Sequence, residues 1–209
     1  MIGLAIHTSS PELGLALINV ADGTTRSQVW PLGRDLTAYL HGCLTEFLPP
    51  YGWPDLAYVA VAQGPGGFTG TRIGVVVART LAQQLAVPRF GVSSLTAIAQ
   101  TLASGEGDAP LSEPLAVMMA AQRGEVFGAI YQPQGGGVEV LLPEALYRQA
   151  DWEAQVAAWP TPCHWVTAEG GLANAVTGVL AIAHQRWQSG DRPAWETVLP
   201  FYGQHPIQQ

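Results

Sequence analysis

The chain has 209 residues and a formal charge of −7, with 48% hydrophobic and only 12% charged residues. That balance suits one large domain or two small lobes and excludes a disordered chain. All nine basic residues are arginines scattered along the sequence. Their type excludes a lysine-dependent phosphate loop and a Schiff-base lysine, and their scatter argues against a stripe able to grip a nucleic acid unaided.

So low a charge content further suggests that part of the surface is covered by another protein. No apolar run reaches the roughly 18–20 residues of a membrane span. Met1–His7 lacks the basic region and cleavage site of a secretory signal. The two cysteines, Cys43 and Cys163, lack metal-ligand spacing and read as reduced thiols. A cytoplasmic protein with no membrane association is expected.

The opening residues predict strands at Ile2–Ile6, Leu13–Ile18 and Thr25–Trp30, joined by turns at Ser9–Glu12 and Asp22-Gly23. Asp35 is positioned to cap a helix over Leu36–Leu48, which Pro49-Pro50 ends. Leu56–Ala62 reads as a buried strand, Thr71–Leu85 as a helix, and Leu95–Leu102 as another. A linker is expected over Ser104–Pro110. Beyond it the order recurs: strands at Leu115–Met119, Glu125–Tyr131 and Val138–Leu142, a helix from Asp151 to Trp159, a strand at His164–Thr167, and a helix over Leu172–Trp187. Alternating strands and helices predict an α/β class. The matching order suggests two lobes, residues 1–103 and 104–209.

Between the strand at 56–62 and the next helix lie glycines 64, 66, 67 and 70. They suit either a tight strand-to-helix turn or a loop of exposed N–H groups holding an anion. Their spacing matches neither a dinucleotide fingerprint nor a Walker loop. Gly70, Gly74, Ala78 and Ala82 then form a small-residue stripe, while Ile73, Val75, Val76, Val77, Leu81 and Leu85 cover most of the remaining circumference. The helix at 36–48 is likewise apolar over too wide an arc for one core face. Such a helix is sandwiched within its own lobe, or it packs on its sheet and turns a second apolar face to a partner. The partner arrangement is expected here.

Residues 64–74, Gly-Pro-Gly-Gly-Phe-Thr-Gly-Thr-Arg-Ile-Gly, resemble the GPGSFTGLRIG motif of the TsaB (YeaZ) family. Gly91-Val92-Ser93-Ser94-Leu95 is similar to that family's GVSSL segment, Arg123–Phe127 to its RGEVY element, and Leu199-Pro200-Phe201-Tyr202 to its P-x-Y ending. The resemblance implies a two-lobed actin/Hsp70-like (ASKHA) fold with ribonuclease-H-like lobes. It also implies a part in forming N6-threonylcarbamoyladenosine (t6A) at position 37 of tRNA. In that family catalysis, metal and nucleotide belong to the paralogous TsaD subunit. TsaB-like chains pair with TsaD, or with themselves, through the two N-lobe helices, and the small ATPase TsaE joins them. By that implication the interface draws on Leu36, Tyr39, Leu40 and Cys43 of the first helix. The second helix adds Gly70, Gly74, Val75, Ala78, Arg79 and Ala82, and the Arg123–Glu125 turn adds its two charged residues. tRNA would be met only within the complex.

Two departures bear on chemistry. His7 stands where the family carries Asp at the first strand end, and Ala120 where Asp often precedes RGEVY. Both remove carboxylates that a phosphoryl-transfer site needs. His7 is read as a strand-end histidine satisfied by nearby backbone groups, and Arg123 with Glu125 as a solvated pair at a hairpin. No HxxxH pair and no GxSxG elbow occur. No catalytic, cofactor-binding or metal-ligating residue is therefore expected. The competing reading is an autonomous ASKHA-type ATPase or kinase-like enzyme.

Overall fold

Large apolar residues alternate with small ones along the opening strands, so each strand has a broad face and a narrow face. In the computed structural model, which describes residues 1–105, 112–199 and 201, Ile2–His7 (β1), Leu13–Asn19 (β2) and Thr25–Trp30 (β3) form an antiparallel meander. Leu4, Ile6, Leu13, Leu15 and Leu17 point to one side of it. Ala5 and Ala16 point to the other. After the helix Leu36–Phe47 (α1), Leu56–Ala62 (β4) returns parallel to β1. The helix Phe68–Leu85 (α2) leads to Arg89–Val92 (β5), parallel to β4, giving the order β3-β2-β1-β4-β5. Both helices lie on the broad side: Leu36, Leu40 and Leu44 share a core with Val75, Ala78 and Ala82.

The helix Ser94–Ala103 (α3) crosses to the second sheet, built from Leu115–Ala120 (β6), Glu125–Gln134 (β7), Gly137–Arg148 (β8) and His164–Thr167 (β9). Its order is β8-β7-β6-β9, with β9 parallel to β6 and the rest antiparallel. The pairing of β3-β2-β1-β4 is thus repeated, the ribonuclease-H-like pattern in each lobe of an ASKHA fold. Gln149–Ala157 (α4) seals one face of this sheet. Its fully buried Trp152 lies over Gly128, where a Cβ would come within 2.5 Å of the indole.

The C-terminal helix Val176–Gln188 (α5) belongs by sequence to the second half yet packs on the narrow side of the first sheet. Val176, Val179 and Ala183 meet Ala5, Ala16, Tyr58 and Phe90 there. Small residues on the narrow side let α5 and the turn leading into it come close: a Cβ on Gly14 would lie 2.3 Å from the Ala173 carbonyl oxygen.

Several local expectations are corrected. Asp35 occupies the α1 N-cap position but its side chain makes no capping bond, because a 3-10 turn, Gly33–Asp35, runs directly into the helix. Asp151 lies inside the first turn of α4, which begins at Gln149; its charge complements the helix dipole and does not cap. Strand β8 extends to Arg148, paired along β7, and a 3-10 turn over Leu172–Ala175 precedes α5. β5 has no counterpart among the sequence expectations. Most of the expected linker, residues 106–110, lies outside the described residues, as do Pro200 and Tyr202 of the C-terminal motif.

Candidate functional site at the cleft between the lobes

The glycine segment after β4 is shaped by the turn that follows β1. Thr8 Oγ1 donates to the Gly70 carbonyl at 2.8 Å, and the Gly67 N–H donates to the Ser9 carbonyl at 2.7 Å. Gly66 has φ 155, and a Cβ there would lie 2.3 Å from the Ser9 carbonyl oxygen. At Gly70 a Cβ would come within 2.2 Å of the Thr8 carbonyl oxygen, and at Gly74 within 2.2 Å of Thr8 Oγ1. These glycines let α2 and its leading loop seat on the 8–10 turn. The small-residue stripe is therefore an internal packing device: Gly74, Ala78 and Ala82 are buried against the chain's own sheet.

Above this junction opens a cleft of about 850 Å3 between the lobes. One wall carries Ser9, Ser10, Phe68 and Gly70 with Arg34 and Leu36; the other carries Met119, Ala120, Gly170 and Leu172. An adjoining recess of about 350 Å3 is lined by Pro65, Phe68, Thr71, Ala120, Phe127 and Phe201. The Phe201 N–H donates to the Gln63 carbonyl at 2.7 Å, and its ring meets that of Phe127 edge-on at 6.1 Å. Phe201 thus touches both lobes beside the glycine loop.

His7 lies beneath the cleft, fully buried, and neither ring nitrogen has a hydrogen-bond partner among the described residues. The expected backbone partners are spent in the β1–β2 and β1–β4 ladders. Burial lowers its pKa to about 4, against a weaker upward pull from Glu12, so the imidazole is neutral. Glu12 is held below the usual carboxylate range, chiefly by the Ser10 hydroxyl; the Gly171 N–H also donates to it at 3.3 Å. Across the lobes the Ser93 hydroxyl donates to Glu144, while Ser93 Oγ accepts from the Leu95 and Thr96 N–H groups as the α3 cap. Burial pushes the Glu144 carboxyl up. Among the described residues no three His, Cys, Asp or Glu side chains gather to hold a metal, and no helix is long and apolar enough to cross a membrane.

The expected interface residues divide sharply. Leu36, Leu40, Cys43, Val75, Ala78 and Ala82 are buried in the first lobe's core. Tyr39 is 59% exposed, and the Arg79 guanidinium lies over the Trp195 ring at 5.0 Å. Arg123 is exposed, with φ 61, in the β6–β7 turn at the far rim of the cleft, next to half-buried Glu125. Sequence reading missed Phe68 and Val76, which are 50% and 59% exposed on the outer face of α2. The Arg72 guanidinium covers the Phe68 ring at 4.5 Å. Only the direction of each helix face relative to its sheet distinguishes these residues from the buried ones.

Comparison with known proteins agrees with this architecture. The family model for TsaD, tRNA N6-adenosine threonylcarbamoyltransferase, matches residues 50–168. The tRNA threonylcarbamoyladenosine biosynthesis protein TsaB of Bacillus subtilis is 36% identical over 71% of this chain and 63% of its own length, so the match spans under two thirds of that relative. The protein of the same description from Escherichia coli is 29% identical over 95% of this chain and 93% of its own. The solved structure of YeaZ from Pseudomonas aeruginosa superposes with a TM-score of 0.77 at 24% identity, covering 96% of this chain and 99% of that one, a likeness of fold. The TsaD model, spanning more than half of the chain, establishes that the chain belongs to that family, within which its curated relatives and fold neighbour are the TsaB (YeaZ) proteins.

Proposed function

We propose that this chain is the non-catalytic partner subunit of a t6A-forming assembly, pairing with a TsaD-like catalytic subunit through the outer faces of α1 and α2. The observation that carries this reading is the exposure of Tyr39, Phe68 and Val76 on one helical layer beside the cleft. Large apolar side chains left exposed on a helical layer mark an interaction surface. The cleft supports a supporting role: a neutral His7 lies below it and Ala120 lines it where related sites use carboxylates, and the Gly67 N–H is already spent on Ser9. The −7 charge fits contact with tRNA only through the assembly. A TsaE-like ATPase would join the heterodimer, and the same face would serve a homodimer when the chain is alone.

The test is light scattering after size exclusion, on the chain alone and mixed with the TsaD-like protein of the same organism. A one-to-one complex is expected, and Tyr39→Arg and Val76→Arg should each dissolve it without unfolding the chain. No complex at about 50 μM, with or without ATP, would overturn the pairing. Saturable ATP binding with turnover by the isolated chain would overturn the non-catalytic role.

A further inference from the structure

A second concavity lies on the opposite side of the first sheet. Helix α5 packs on β1, β2, β4 and β5. Between α5, the β2–β3 hairpin and the Gly135-Gly136 turn it leaves a groove of about 760 Å3, within the range of small-molecule sites. Its floor is apolar, formed by the accessible edges of Ile18 and Leu180 and bordered by exposed Ala181. Around that floor stand the uncharged polar side chains of Thr25, Ser27, His184, Gln185 and Gln188. Among the described residues that line it there is no carboxylate. Its one arginine, Arg26, turns its guanidinium away: Nη2 donates to the Phe47 and Leu48 carbonyls, and the group stacks on the Phe47 ring at 4.9 Å.

Two polar groups of this wall are fixed in advance. His184 Nδ1 lies 3.2 Å from the hydroxyl of fully buried Tyr58, and the imidazole stacks on Trp187 at 6.3 Å with an interplanar angle of 12°. That leaves Nε2 for an incoming group, on a ring whose pKa burial lowers. Gln100, buried at the groove's end, donates through Nε2 to the Gly136 carbonyl at 2.7 Å and to Ser104 Oγ at 2.8 Å, which pins the turn that roofs the groove. Glutamine carboxamides present a donor beside an acceptor, the pairing that the edge of a nucleobase offers. Charged groups would enter without a counter-charge and lose hydration.

We propose that this groove binds an uncharged heteroaromatic molecule of nucleobase or nucleoside size, its ring on Ile18, Leu180 and Ala181 and its polar edge read by His184, Gln185 and Gln188. The site is independent of the helical face assigned to pairing. Titrating the 15N-labelled full chain with adenosine, with uridine and with AMP tests it by amide shifts. Saturable shifts confined to α5 and the β2–β3 hairpin are expected for at least one nucleoside, with a Kd below about 1 mM. AMP should bind there at least about tenfold more weakly, for want of a counter-charge. Ala181→Trp and Ser27→Trp, exposed positions on opposite walls, should each abolish those shifts while leaving the circular dichroism spectrum unchanged. The proposal is overturned by no saturable shift with either nucleoside up to about 10 mM. Shifts located at the glycine loop, or binding that survives in both tryptophan variants, would overturn it equally.

Discussion

At the scale of single residues, the glycines separate by what a methyl group would meet. Gly70 faces the Thr8 carbonyl oxygen, whereas Gly42, midway along α1, has nothing within 4 Å of an added Cβ. Gly42→Ala should therefore stabilise the fold by about 0.5–1 kcal/mol through helix propensity. Gly70→Ala should destabilise it by about 1–3 kcal/mol despite the same propensity gain, because the backbone of the 8–10 turn must move. Urea denaturation of the two variants checks the pair; equal effects would mean that the close approach costs nothing. His7 gives a pH signature. Its folded pKa of about 4 lies below the ordinary histidine value of 6.5, so the unfolded chain binds the proton first as pH falls. The stability tied to His7 is full above about pH 6.5 and is lost as pH falls toward 4, with about 2 kcal/mol gone between pH 7.5 and 5. Stability curves of the wild type and His7→Gln should diverge in that window, the variant having the shallower slope; parallel curves would show that His7 is hydrated or paired.

Secondary-structure elements show where sequence reading was sound and where it lacked a direction. The strands and helices were legible because alternation and turn chemistry are local: β3 follows the Asp22-Gly23 turn pair, and β4 falls on its apolar run. The breadth of the apolar arcs on α1 and α2 was legible too, but the outward face was not. Val75 and Val76 are neighbours of identical chemistry, 3% and 59% exposed. Val75→Arg should cost more than about 3 kcal/mol by burying an unpaired charge. Val76→Arg should change stability by less than about 0.5 kcal/mol and act on pairing alone. Thermal melts of the two variants provide the measurement, and similar losses would mean that the two valines are equally buried. At α3, Ser93→Ala removes the cap and leaves Glu144 without its hydroxyl donor. A loss of about 1–2 kcal/mol is expected, readable by the same melts.

For the molecule as a whole, the C-terminal segment acts as a strap across the first lobe. The buried Arg89 guanidinium donates to both the Val75 and Val198 carbonyls, tying α2 to the segment that follows α5. Arg89→Met should free those carbonyls and speed proteolysis after Val198, with the two lobes otherwise intact; cleavage at the wild-type rate would show that the strap is held by other contacts. Neither this tie nor the return of α5 to the first sheet could be read from the chain. By itself the sequence determined the α/β class, the repeated element order and the motif that marks the family, since each rests on local spacing and on residue types that few backbones accept. The tertiary structure alone decided that the small-residue stripe faces inward and that Tyr39, Phe68 and Val76 face outward. It also decided that a polar groove opens behind α5. Those outcomes depend on which sheet face each helix covers, and that is fixed by long-range packing between residues far apart in the chain.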